Sequence, residues 1–90
     1  TNNDIFTSII NIDNGFIISA ISESSDNGKN VVWLFQIDDL GNIVWEKIIE
    51  YKNNINAFDL INNNDESITL TGFYEDENDL KGYYLTIPIP

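Results

Sequence analysis

Residues 31–50, VVWLFQIDDLGNIVWEKIIE, decide the fold class. Two apolar runs, 31–37 and 43–49, flank the turn-forming stretch Asp38-Asp39-Leu40-Gly41-Asn42. Both runs are rich in Val, Ile, Trp and Phe, which fit a pleated, half-buried surface. Gly41 and Asn42 adopt positive φ at little cost, so the stretch predicts a hairpin. On the first strand Val31, Trp33, Phe35 and Ile37 share one face, and Val32 and Leu34 occupy the other. Both faces are apolar, so the strand is expected to be covered on two sides.

Upstream, the same grammar repeats. Residues 5–12 have the apolar content of a strand, and Asp13-Asn14-Gly15 follows as a strong hairpin signal. A second strand is expected over 16–22, then a polar loop over 23–30 (ESSDNGKN), then strands over 31–38 and 42–50. Downstream, 51–55 reads as a connector and 57–61 as a short strand. Asn62-Asn63-Asn64-Asp65-Glu66 is a polar turn, 67–74 an alternating strand, 75–81 (EDENDLK) a charged loop, and 82–89 a final strand. No window sustains a 3.6-residue period, so essentially no helix is expected. The expected fold class is all-β: two antiparallel meanders, residues 1–52 with four strands and 53–90 with three. With no fourth strand in the second meander, residues 82–87 should form an open sheet edge, blunted by Pro88 and Pro90.

The two meanders align with each other. Phe6 falls on Phe58, Asp13 on Asp65, Ile18 on Leu70, Ala20 on Gly72 and Glu23 on Glu75. Allowing one residue less in the second loop, Trp33-Leu34 meets Tyr84-Leu85. The repeat is somewhat longer than the roughly 40–50 residues of common propeller blades.

Composition narrows the chemistry. The 90 residues carry a formal charge of −11, with Lys29, Lys47, Lys52 and Lys81 the only basic side chains. A nucleic-acid backbone needs clustered Lys and Arg, and an anionic membrane surface needs the same, so neither is an expected partner. Cysteine and histidine are absent. That removes disulfide staples, thiolate metal sites and the commonest general base. No apolar run approaches the roughly 20 residues of a membrane-spanning helix, so no membrane insertion is expected. The first residue is Thr1, which fits either a trimmed precursor or an excised domain.

Two segments resemble the blade repeats of bacterial and archaeal surface β-propellers. Asn14-Gly15-Phe16-Ile17-Ile18-Ser19-Ala20 is similar to their D-G-G-[YF]-I-[IV]-[AS]-G segment. Trp33-Leu34-Phe35-Gln36-Ile37-Asp38-Asp39-Leu40-Gly41-Asn42-Ile43-Val44-Trp45 is similar to their W-L-x-K-[LI]-D-x-x-G-N-x-x-W segment. Ala20 and Gln36 depart from the small Gly and the basic residue of that pattern. The resemblance implies a blade and specifies no ligand.

Five aromatic residues are candidates for a ligand platform or an interface: Trp33, Trp45, Tyr74, Tyr83 and Tyr84. The competing role of each is packing and register. Trp33 and Phe35 are expected to be buried, with at least one touching the neighbouring repeat. The oxygen-rich turns at 62–66 and 75–79 lack the spacing of a calcium loop, so no metal is expected. No G-x-S-x-G, phosphate-cradling glycine loop or carboxylate pair suggests catalysis. The expectation is a non-enzymatic structural or interaction module without cofactors, from a secreted or cell-surface protein. Its partners would be other blades of the same protein or copies of itself. The rivals are a small acidic inhibitor or immunity-type protein for a basic partner, and a lectin-like oligomer that binds glycans.

Overall fold

A computed structural model describes residues 4–23 and 28–90. Seven strands are present: β1 (Asp4–Ile12), β2 (Gly15–Glu23), β3 (Asn30–Ile37), β4 (Ile43–Ile49), β5 (Ile55–Asn62), β6 (Ser67–Asp76) and β7 (Asp79–Pro88). They form two antiparallel sheets, β1-β2-β3-β4 and β5-β6-β7, and the described residues contain no helix. The fold is all-β, with one meander of four strands and one of three.

The hairpin that organises the first sheet is closed by Asp38. Its carboxylate accepts from the backbone N–H groups of Leu40 and Asn42, both at 2.9 Å, while Gly41 takes a φ of 87°. Asp is suited to such a turn because its short side chain caps the backbone two residues on. At the first hairpin, positive φ falls on Gly15 (136°) rather than on Asn14, and Gly15 pairs with Ile12. A β-carbon at Gly15 would collide with the Ile37 carbonyl oxygen, so only glycine fits this close approach.

Residues 75–81 do not form a loop. β6 and β7 continue through Glu75–Leu80 and Asp76–Asp79 pairs, leaving Glu77 and Asn78 as the turn. The charges are tolerated because this part of the hairpin lies in solvent, where Lys81 reaches Asp76 at 3.6 Å and Lys52 reaches it at 3.8 Å. β5 likewise begins at Ile55, two residues earlier than the alternation suggested. The expected loop over 23–30 falls partly outside the described residues. β7 pairs only with β6, so it is an edge, as expected from the missing fourth strand.

The core lies between the sheets. Ile17, Val32 and Leu34 of the first sheet meet Ile55, Ala57, Leu60, Ile68 and Leu70 of the second. Polar contacts tie the sheets together at one end. The Asn30 N–H donates to Asn54 Oδ1 at 2.6 Å, the Asn30 carboxamide to Asn56 Oδ1 at 3.2 Å, and Lys29 to the Tyr51 carbonyl at 2.6 Å.

Candidate functional site

Register assigns every side chain to a face, because directly paired residues project to the same side. In the first sheet Ile10–Ile17–Gln36–Trp45 and Ser19–Leu34 point toward the second sheet. Ile9–Ile18–Phe35, Phe6–Ala20–Trp33–Ile48 and Phe16–Ile37–Ile43 point away from it. No second layer lies over this outward face among the described residues. Phe6 is 67% exposed and Ile9 60%, with Ile43 and Ile48 about half exposed. Phe35 is nonetheless buried, because Trp33 stacks on it at 4.3 Å and Phe6 meets it edge-on at 6.3 Å.

The expectation that β3 is covered on both sides, with at least one of Trp33 and Phe35 touching the neighbouring repeat, is therefore corrected, although Phe35 is buried as expected. Val32 and Leu34 make the contact with the second sheet. Trp33 and Phe35 lie on the opposite face, sheltered by their own neighbours. The Trp33 indole donates to Glu46 Oε1 at 3.0 Å on the same surface. Alternation assigns residues to faces but is silent on which of two apolar faces receives a partner.

The other aromatic candidates separate in the same way. Trp45 packs on the core and donates to Gln36 Oε1 at 2.6 Å, which satisfies a buried amide. Tyr74 and Tyr83 also pack against the core, and Tyr74 meets Tyr51 at 4.8 Å and Tyr83 at 6.3 Å. Tyr83 reaches across Gly72 to donate to the Asn56 carbonyl at 2.8 Å, and burial pushes its phenol up to about 12. Tyr84 is 75% exposed on the outer face of the second sheet. The five residues thus form no common platform: three line the inner seam, and Trp33 and Tyr84 lie on opposite outer faces.

A polar cleft of about 340 Å³ opens where the β1–β2 and β5–β6 turns come together, lined by Asp13, Asn14, Gln36, Asn62, Asn64 and Glu66. No motif marks it in the sequence, because its walls come from turns half a chain apart. The 62–66 turn is knit internally: Asn62 Oδ1 accepts from the Asn64 N–H at 2.9 Å and Asn63 donates to Thr69 at 2.9 Å. Among the described residues no three Asp or Glu side chains gather in a way that would hold a metal ion.

The structure also corrects the repeat alignment. Both meanders carry a bulge at the same point of their first strand, between Phe6 and Ser8 in β1 and between Ala57 and Asp59 in β5. Matching the bulges and pairs places Thr7 on Phe58, Ser8 on Asp59 and Phe6 on Ala57. Ala20–Trp33 then corresponds to Gly72–Tyr83, and Ile18–Phe35 to Leu70–Leu85. Trp33 is thus the counterpart of Tyr83, not Tyr84. The shorter turn between β6 and β7 removes two residues rather than one.

Under this equivalence the uncovered face of the first sheet (Phe6, Ile9, Phe16, Ile18, Trp33, Phe35) matches Ala57, Leu60, Ile68, Leu70, Tyr83 and Leu85. Those residues form the second sheet's face toward the first. The two sheets therefore stack front to back rather than front to front. The first strands agree: Ser8 bonds Asp59 at 3.2 Å and Asn62 bonds the Asn11 carbonyl at 3.3 Å, so equivalent positions of β1 and β5 run side by side in the same direction.

No protein-family model, curated protein or solved structure matches the chain. No helix among the described residues is long and apolar enough to cross a membrane.

Proposed function

We propose that the chain is a structural and interaction module, a pair of β-propeller-type blades from a secreted or cell-surface protein, with no catalytic site of its own. The supporting observation is the front-to-back equivalence of the sheets. The apolar face exposed on the first meander is the face that the second meander buries. A repeat whose face is covered at one step and bare at the next belongs to a stack that continues. The partner this reading requires is another meander of the same kind. It presents an aliphatic surface like that of Ile17, Val32 and Leu34.

Joining two copies of the chain in tandem through a flexible linker tests this reading. In repeat proteins each new interface adds to stability. The tandem is expected to melt at least about 4 °C above the single chain, the shift that ~1 kcal/mol produces in a domain of this size. An unchanged midpoint would remove the basis for the blade reading.

A further inference from the structure

We propose that the bare face of the four-stranded sheet docks onto the outer face of the three-stranded sheet of a second copy of this chain, head to tail. The inference rests on the blade reading and names the two surfaces that meet. Within one copy, the contact joins the Ile17–Leu34 face of the first meander to the Leu60–Leu70 face of the second. The repeat equivalence turns these into two unsatisfied surfaces at the ends of the molecule. One is the Phe6–Ile9–Phe35 face of the first sheet. The other is the outer face of the second sheet, the counterpart of Ile17 and Leu34, where Ile61 matches Ile10 and Tyr84 matches Leu34.

The second surface is more polar, with Thr69, Thr71 and Thr86, but it exposes Phe58 (73%), Tyr84 (75%) and Ile61 (48%). The inner surface it imitates also contains Ser19 and Gln36, so buried hydroxyl and amide groups already belong to this interface type. One carboxylate on each of the two surfaces is engaged internally. Glu46 on the bare face of the first sheet accepts from Trp33, and Asp59 on the outer face of the second accepts from Ser8 and from the Leu60 N–H at 2.9 Å. A contact between two different surfaces is heterologous, so it closes as a ring of two or more copies or grows as a filament. Contact between two copies of the bare face alone would stop at a dimer.

Light scattering on the intact chain over a range of concentrations gives the first reading. Species of two or more copies are expected; a mass that stays at one copy overturns the proposal. The second reading uses Ile9→Glu on one face and Tyr84→Glu on the other. Each variant alone is expected to be monomeric, because one of its two surfaces is blocked. Mixed, they keep one intact surface each and should form a one-to-one dimer that grows no further. If Tyr84→Glu assembles like the parent, or if the mixture stays monomeric, the head-to-tail contact is wrong. All these side chains are largely exposed, and Phe6→Glu with Phe58→Glu serves as a replacement pair should either variant lose its β-sheet circular dichroism. The tandem separates the two claims. A stabilised tandem with monomeric single chains defeats only the intermolecular contact, and an unstabilised tandem defeats the blade reading itself.

Discussion

Ser8 and Asp59 hold the same position in successive meanders, and the Ser8 hydroxyl donates to the Asp59 carboxylate at 3.2 Å across the seam between the sheets. The pair sets β1 and β5 side by side at the seam, running in the same direction. Because the sheets stack front to back, one meander's covered face corresponds to the other's bare one.

The inter-sheet core should carry the stability. Leu34 is fully buried against the second sheet, and Leu34→Ala is expected to cost about 2–5 kcal/mol. Trp33 is only half-buried, so Trp33→Ala should cost less despite removing a larger side chain. Chemical denaturation of both variants checks the order. If Trp33→Ala is the more damaging, the faces have been assigned the wrong way round.

Gly72 should resist substitution although its counterpart is Ala20. A β-carbon at Gly72 would collide with the Asn56 carbonyl oxygen and stand 2.8 Å from the Tyr83 hydroxyl. Gly72→Ala is expected to destabilise by about 1–3 kcal/mol, the usual cost of overpacking. A thermal melt equal to that of the parent would show that Tyr83 does not cross the strand there.

Gln36 and Trp45 should behave as a coupled pair. Gln36→Leu leaves the Trp45 indole N–H without its acceptor, at a cost of about 1–3 kcal/mol. Trp45→Phe leaves the buried Gln36 oxygen without its donor. The double variant should lose clearly less than the sum of the two, and a double-mutant cycle that comes out additive contradicts the bond.

Two groups set opposite limits on pH stability. The Asn42 backbone N–H, followed by that of Leu40 and the other Asn42 contact, holds the Asp38 carboxyl below its ordinary value. A lowered folded value favours the charged form. Asp38 therefore supports the turn above the ordinary carboxylate range and loses that contribution as pH falls through its folded value. Tyr83 is the reverse case: with its phenol raised to about 12, its contribution is present below pH ~10 and lost between there and about 12. An ultraviolet titration should show one late-ionising tyrosine that disappears in Tyr83→Phe. If all four tyrosines ionise together, Tyr83 is not held as described.

All seven strands and most turn positions were legible from the sequence, because both depend on neighbours along the chain. Period-two alternation places Val32 with Leu34 and Trp33 with Phe35, and the Asp38-to-Asn42 segment carries its own hydrogen-bond partners. Charge alone is no signal of a loop: Asp76 and Asp79 sit in strands because a solvent-facing hairpin does not desolvate them. The repeat too was visible, but its offset was not. Bulges at Thr7 and Phe58 and a shortened β6–β7 turn shift the pairing without leaving a mark in composition.

Only the tertiary structure decided which apolar face of the first sheet is covered. Packing between sheets is non-directional and rewards buried area, so Ile17 with Leu34 and Ile18 with Phe35 look equally suited to a partner. The choice was made by groups far apart in the chain. Asn30 with Asn54 and Asn56, and Ser8 with Asp59, have directional bonds that close in one stacking order only.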